Sequence, residues 1–378
     1  MNTPYIAVAT IDSTPLIDTH NEEHSSPNDI NATDAYDYDA THTKNQLTDY
    51  ADEATITIHP PTWHHPFTST GTYFSELAAV FSWKFISWLA IDQCCVTGGA
   101  YSIVQAIGLP LFKGMGIDAT RQQLYMSMIM SPWAMKPFIG VASDLFPIKG
   151  YNKRYFALYS ILVGVVGCIV LLWLHHSGFA DGAIQQGSNT VDYLGDMIVL
   201  CFTALSYEAA TLDSLGEGKY AELMNLHPES GSSIVSFKFG WSLLGGIITQ
   251  SYVGPLSDAG YFDVLVYTAF ILSLTPFFPT LVGWIPEKLR TDTEPGMVKL
   301  CRGCLFDRGS FEEKKSPFII ITLCGLSAPL LAAVMTYANL EIGLAFAAVL
   351  IVVFVVATFY IFPRPVSRQC FVISYRIR

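Results

Sequence analysis

Several ionisable side chains lie inside long apolar stretches of this sequence, where a charge is costly, and three of them are predicted to share one depth. These three are Asp92, Lys136 and Glu208. A charge at the centre of a bilayer costs roughly 2.5 to 3.5 kcal/mol on the insertion scale, so each of these residues requires an explanation. At a helical rise of about 1.5 Å per residue, all three are predicted to lie about 12 to 15 Å inside the same end of their helices. Two carboxylates and one ammonium at a shared depth favour a site that binds a charged ligand or, through Asp92 and Glu208, relays protons.

A structural role is the alternative for this group. Lys136 could pair with one of the two acids and hold helices together, since buried ion pairs often fix how helices pack. Three further charged residues follow Glu208 nearer to the end of its helix, namely Asp213, Glu217 and Lys219. A charge near the membrane surface is solvated at little cost, so the structural role is favoured more strongly for these three.

Two prolines interrupt the helix that carries Lys136. Pro132 and Pro137 lie on either side of the pair Trp133 and Lys136. Each proline removes a backbone donor and kinks a helix that contains it. Inside a membrane the freed backbone groups must face a cavity or other protein, which favours a binding site at Lys136. A kink without a functional role is the alternative, because proline is common in membrane helices.

Membrane-spanning helices are the elements that would position these residues. Hydrophobic residues make up 51% of the 378-residue sequence, and they occur in long, nearly uncharged blocks. About 20 consecutive apolar residues are needed to cross a bilayer as a helix. Eight such stretches are predicted, at residues 84–111, 123–146, 155–175, 193–216, 235–256, 261–283, 317–336 and 341–362. The predicted fold class is an all-α integral membrane protein, which is embedded in the lipid bilayer.

The net charge is confined to the start of the chain. Residues 1–78 carry 12 acidic and 1 basic side chains, whereas residues 79–378 carry 20 of each. The first segment has too few apolar residues to offset its conformational entropy, so it is predicted to be an acidic, disordered tail. No basic patch indicates a nucleic-acid partner. No enzyme, cofactor or metal motif is present either, so the sequence predicts a protein that is not an enzyme.

The loops indicate the orientation in the membrane. Lys149, Lys153 and Arg154 follow the second predicted helix, and seven Lys and Arg residues lie in residues 285–316 after the sixth. Because short cytoplasmic loops carry an excess of Lys and Arg, the even-numbered loops are predicted to be cytoplasmic. The N-terminal tail is then cytoplasmic as well.

A motif of glycines and charges marks the junction of the second and third helices. Glycine allows close helix approach, an Asp at a helix end accepts hydrogen bonds, and a basic pair anchors the loop. The motif residues are Gly140, Asp144, Gly150, Lys153 and Arg154. This pattern is typical of the major facilitator superfamily and predicts a conformational latch, not a binding site.

The segment from Lys136 to Tyr155 resembles the hallmark of the folate-biopterin transporter family within that superfamily. It combines the Ser-Pro-Trp-x-x-Lys-Pro run with the loop motif. A second segment, which contains Asp213, Glu217 and Lys219, resembles the end of the fourth helix in protist members. The resemblance extends over about residues 79–365.

The resemblance implies a major-facilitator-type bundle of twelve helices in two halves, which moves folates or pteridines such as biopterin by alternating access together with protons. About eight of the expected twelve helices precede the last residue, so the chain is expected to be truncated. The implied parts are a six-helix bundle at 79–284, a basic cytoplasmic loop at 285–316 and a partial second bundle at 317–378. By family analogy the membrane is the plasma membrane.

The chemistry of such a ligand suggests roles for the residues. A pterin offers adjacent donors to a carboxylate such as Asp92 or Glu208, and the acidic tail of a folate suits Lys136. Trp133 and Tyr207 are candidates to stack on the flat ring. Two alternatives remain open: a facilitator-type carrier of another metabolite, such as a sugar or S-adenosylmethionine, and a truncated paralogue that does not transport.

Overall fold

The computed structural model describes most of the chain after the acidic tail. The described residues are 66–177, 188–291, 293–301, 304–338 and 340–361. The predicted disordered tail therefore lies largely outside the described residues, as does the last part of the predicted second bundle.

Almost all of the described residues are helical. A π-helix, Asp92–Ala100, joins α2 to α3, and a short 3-10 helix, Pro228–Ser230, precedes α8. The α-helices are α1 Pro66–Phe81, α2 Trp83–Ile91, α3 Tyr101–Gly114, α4 Ala119–Ala134, α5 Lys136–Leu145, α6 Arg154–His176, α7 Ser188–Leu226, α8 Gly231–Asp258, α9 Phe262–Leu274, α10 Phe277–Val282, α11 Arg308–Glu313, α12 Lys315–Tyr337 and α13 Leu340–Ile361.

Five stretches within the described residues are long and apolar enough to cross a membrane. They are Trp83–Gly114, Arg154–His176, Tyr193–Leu226, Phe262–Val282 and Lys315–Tyr337. The predicted class, a helical membrane protein, is confirmed. The number of eight spans stays a prediction, because the helix pair α4 and α5 is divided by its break, α8 is rich in Gly and Ser, and α13 contributes only the shorter apolar stretch Glu341–Ala357 within the described residues.

Helix α1 differs from the sequence prediction. The disordered tail was expected to extend to residue 78, but α1 begins at Pro66. Tyr73, Leu77 and Phe81 recur every four residues and form an apolar stripe, and both Leu77 and Phe81 are buried. The Tyr73 hydroxyl also donates a hydrogen bond to the Ser233 carbonyl oxygen at 2.7 Å. These contacts offset the entropy of ordering the segment.

The π-helix and α8 pack backbone against backbone. A Cβ atom added to Gly98 would lie 2.5 Å from the Ser242 carbonyl oxygen and 2.9 Å from the Gly245 Cα atom. A Cβ atom on Gly245 would collide with the backbone of Cys94. Glycine at both positions is therefore what lets the two helices approach closely and carry their polar side chains to one place.

The predicted basic loop at 285–316 contains an antiparallel hairpin that the sequence analysis did not predict. Strands β1 Met297–Cys301 and β2 Cys304–Asp307 pair, with Cys301 opposite Cys304. The hairpin lies against the loop between α5 and α6, where Ile148 bridges to Cys304 and the Leu305 amide donates to the Pro147 carbonyl oxygen at 3.1 Å.

Candidate functional site

Four charged side chains from three helices form a closed ring, which we name the charge cluster: Lys136 of α5, Asp213 and Glu217 of α7, and Lys238 of α8. The Lys136 ammonium lies 2.5 Å from Asp213 Oδ2 and 2.8 Å from Glu217 Oε2. Lys238 lies 2.8 Å from Asp213 Oδ1 and also pairs with Glu217. Each cation thus contacts both anions, and the four formal charges sum to zero.

Local structure explains how these side chains meet. The helix predicted to be kinked by its prolines is broken in the structure. Helix α4 ends at Ala134, Met135 is the junction and α5 begins at Lys136. Asp213 and Glu217 are four residues apart, so they project from one face of α7. Lys238 approaches that face from α8.

The ring is buried on one side and open on the other. The side chains of Asp213 and Lys238 are each only 4% exposed, whereas those of Lys136 and Glu217 are 20% and 38% exposed. A buried charge is tolerated when it is paired and hydrogen-bonded. The Asp213 and Lys238 pair is the fixed side of the cluster, and Glu217 lies at the accessible side.

Gln93 connects the cluster to Asp92. The Gln93 amide group donates to Asp92 Oδ2 at 2.9 Å and to Asp213 Oδ1 at 2.8 Å. Asp92 is fully buried in the π-helix, and its other oxygen has no hydrogen-bond partner among the residues that the structure describes. Asp92 is therefore part of the polar network without contacting a lysine in it.

Aromatic rings lie beside Lys136. Its ammonium is 5.4 Å from the centroid of the Trp133 ring, and the Trp133 and Tyr101 rings are 4.9 Å apart. The Trp133 indole nitrogen is buried and has no hydrogen-bond partner within the described part of the chain. The site thus offers a flat aromatic surface next to a cation.

The structure does not bring Glu208 to Lys136, contrary to the expected cluster of Asp92, Lys136 and Glu208. Glu208 is fully buried between α6, α7 and α9, where it accepts a hydrogen bond from the Ser273 hydroxyl. A Cβ atom on Gly164 of α6 would collide with its carboxylate. Glu208 and Asp213 are five residues apart, which corresponds to about 140° around the helix axis. Glu208 therefore projects from another face of α7, although its predicted depth in the membrane equals that of Lys136.

Tyr207 lies beside a different set of side chains. Its phenol lies near the Thr211 and Tyr159 side chains, and Tyr159 belongs to the exposed face of α6. Of the two aromatic candidates, only Trp133 contacts the cluster in this structure.

The loop motif forms a second network, at the helix ends. Lys153 is buried and lies 3.0 Å from Asp144 Oδ1 and 3.1 Å from Glu222 Oε1. Lys219 pairs with Glu222 at 2.7 Å, so it belongs here and not with Asp213 and Glu217. Burial alone would lower the pKa of Lys153, but the two carboxylates outweigh it and the pKa is raised. The network links α5, the loop and α7.

The linker that follows α10 forms hydrogen bonds with the loop between α5 and α6. The Glu287 carboxylate accepts hydrogen bonds from the backbone amides of Lys153 at 2.6 Å and Arg154 at 3.3 Å. Burial raises the pKa of Glu287 in spite of these donors. Gly150, at φ 82°, accepts a hydrogen bond from the Arg290 amide at 2.9 Å. These contacts agree with the predicted latch, whose role in conformational change stays a prediction.

Sequence comparison identifies the family of the chain. A sequence model of the BT1 family matches residues 103–362, more than half of the chain. The chain belongs to the BT1 family. The matched BT1 region contains all four residues of the charge cluster and the whole latch motif, whereas Asp92 and Gln93 precede it.

Curated relatives of this BT1 protein carry transporter names. It is 26% identical over 200 residues to a folate-biopterin transporter of Synechocystis sp., which covers 53% of this chain and 36% of that protein. It is 24% identical over 156 residues to probable folate-biopterin transporter 6 of Arabidopsis thaliana, covering 41% and 29%. It is 22% identical over 243 residues to probable folate-biopterin transporter 4 of the same plant, covering 64% and 45%.

These matches span less than half of the length of each relative. No solved structure matches the chain. Within the described residues, no group of three or more His, Cys, Asp or Glu side chains is arranged to hold a metal ion.

Lys238 and Gln93 are the site residues that the sequence analysis missed. Lys238 lies within the fifth predicted membrane stretch, so the cost of a buried charge would have singled it out by the same reasoning as Lys136. Gln93 offered a weaker signal, as a polar neighbour of Asp92 in an apolar helix.

Proposed function

We propose that this BT1-family protein carries a folate or a pterin across a membrane by alternating access, and that its ligand binds at the charge cluster. The observation that supports this most is that two lysines and two carboxylates from three helices meet beside Trp133. Counted along α5 and α7 at about 1.5 Å per residue, the cluster residues lie about 8 to 14 Å from Asp144 and Glu222, the residues of those helices that contact the latch lysine Lys153. In this proposal the cluster lies inside a hydrocarbon core about 30 Å thick, on the latch side of its middle, and carriers bind their ligands within that core.

The chemistry of the cluster suits the proposed ligand class. Carboxylates and amide groups at the site can pair with the adjacent ring N–H and amino donors of a pterin. Trp133 and Tyr101 offer aromatic faces on which a flat ring can stack, and the two lysines can hold an acidic tail. A neutral sugar would leave these charges without a partner, so the cluster favours a charged or strongly polar ligand.

Protons are proposed to enter through Asp92 and Glu208. Both side chains are fully buried, and each has one carboxylate oxygen without a hydrogen-bond partner among the described residues. Buried carboxyl groups that face the inside of a helix bundle are common places of proton exchange in carriers. In this proposal, residues 79–284 move as one six-helix bundle, with the latch loop, the 285–316 linker and the N-terminus on the cytoplasmic side of the plasma membrane.

Uptake by whole cells tests the proposal. Cells that lack their own folate and pterin carriers would express the 378-residue chain, the Lys136→Ala variant or the Arg121→Ala variant. Arg121 pairs with Asp196 at 3.2 Å, so the control removes another ion pair between the Ala119–Leu145 region and α7, away from the cluster. Labelled folate and biopterin uptake would be measured with and without an inward proton gradient, at matched surface amounts.

We expect uptake by the unaltered chain and by Arg121→Ala, driven by the proton gradient. Lys136→Ala is expected to lose at least about tenfold, because a charge-assisted contact to the ligand is removed. If the unaltered chain reaches the cell surface and takes up neither compound, the proposed function is wrong. Uptake that ignores the proton gradient would remove only the part of the proposal that concerns Asp92 and Glu208.

A further inference from the structure

The two carboxylates of the charge cluster are held very differently. Asp213 accepts hydrogen bonds from three donors, namely Lys136, Lys238 and Gln93, and its side chain is 4% exposed. Glu217 contacts only the two lysines of that set, and its side chain is 38% exposed. Asp213 is therefore a fixed part of the fold, whereas Glu217 can leave the lysines and remain hydrated.

The position of Glu217 is that of a bound anion. One of its carboxylate oxygens lies 2.8 Å from the Lys136 ammonium, and the other pairs with Lys238. A carboxylate that bridges two ammonium groups in this way makes the contacts that a carboxylate of a ligand would make.

We propose that Glu217 is an internal anion that occupies the subsite for a ligand carboxylate, and that a carboxylate-bearing ligand displaces it from Lys136 and Lys238. This inference rests on the proposed function and adds to it the part of the ligand that the two lysines recognise. The exchange keeps both ammonium groups paired at every stage, because one carboxylate replaces another. Glu217 moves to the solvated side of the ring, where its charge is hydrated.

The charge balance of the ring makes this exchange selective. With Glu217 in place, two cations face two anions, and an incoming anion must compete with a tethered one. Removing the charge of Glu217 leaves the ring with one excess positive charge. An anionic ligand then binds without competition from Glu217, whereas the affinity for a ligand without a carboxylate does not change.

The test compares two probes on purified protein. Folate carries carboxylates and biopterin carries none, and their affinities would be measured by calorimetry for the full 378-residue chain, for Glu217→Gln and for Glu312→Gln. Glu312 is a matched control, since it is an exposed carboxylate paired with Arg308 at 2.6 Å, outside the membrane helices. Thermal unfolding of each protein would verify that it is folded. If Glu217→Gln does not fold, Glu217→Asp, which keeps the charge but reaches less far, takes its place.

We expect Glu217→Gln to bind folate about tenfold more tightly than the unaltered chain does, with the affinity for biopterin unchanged within about twofold. Glu217→Asp is expected to strengthen folate binding by a smaller factor, and Glu312→Gln to change neither affinity. Unchanged or weaker folate binding in the Glu217 variants would overturn the inference, and a loss of biopterin binding would show that Glu217 contacts the pterin instead. If the folded, unaltered chain binds neither probe, it is the proposed function that fails.

Discussion

The charged side chains of the membrane helices differ in how deeply they are buried and in how many partners they contact. Asp213, which the sequence places near a helix end, is buried and is the centre of the charge cluster. Glu208, which was expected in the cluster, is held by Ser273 on another side of α7. Depth in the membrane can be read from the sequence at 1.5 Å per residue, but the direction of a side chain around the bundle depends on how the helices pack.

The two carboxylates of the cluster are expected to differ in their contribution to stability. Asp213→Asn removes the buried anion that faces Lys238, and breaking a buried pair in this way typically costs about 3 to 5 kcal/mol. Glu217→Gln removes a more exposed anion, for which about 0 to 1 kcal/mol is typical. Thermal unfolding of the two purified variants checks this order. Equal losses would mean that both acids are structural, which would weaken the case for an exchangeable Glu217.

At the scale of elements, the contact between the π-helix and α8 positions the cluster. It brings Gln93 and Lys238 to the same side of α7, and it depends on the absence of side chains at Gly98 and Gly245. Sequence patterns predicted both helices but not this contact, because the pattern does not tell which glycine faces another backbone and which faces open space.

Neighbouring glycines in α8 should therefore respond in opposite directions to the same substitution. A Cβ atom on Gly245 would collide with Cys94, so Gly245→Ala is expected to destabilise the protein by about 1 to 3 kcal/mol. Gly246 has no atom within 4 Å of such a Cβ, so Gly246→Ala is expected to be neutral or to stabilise by up to about 1 kcal/mol through helix propensity. Thermal unfolding measures both. A destabilising Gly246→Ala, or a neutral Gly245→Ala, would contradict the described packing.

Turning points of the chain were less predictable than its helices. The break at Met135 was predicted from Pro132 and Pro137, since proline has a local effect on the backbone. The hairpin at residues 297–307 was not, because its strands are short and pair with a loop that is distant in sequence. Helix α1 was not predicted either, because its apolar stripe is stabilised by contact with α8, which is distant in sequence.

For the whole molecule, the sequence predicted the class, the family and most helices, and it found two of the residues that share the site's polar network, Lys136 and Asp92. Lys238 was not predicted, although the cost of placing a charge in an apolar stretch applies to it as it does to Lys136. The matched BT1 region at 103–362 contains every residue of the cluster. The charge cluster either binds the ligand, as proposed, or only holds helices together.

Folate affinity of purified Lys136→Met and Arg121→Met proteins decides between these roles most directly. In Lys136→Met, Asp213 keeps Lys238 and Gln93 as partners, so the protein is expected to stay folded. We predict that Lys136→Met lowers folate affinity at least about tenfold, while Arg121→Met, which removes the pair with Asp196, leaves it unchanged. If a folded Lys136→Met protein binds folate with the affinity of the unaltered chain, the charge cluster is not the binding site.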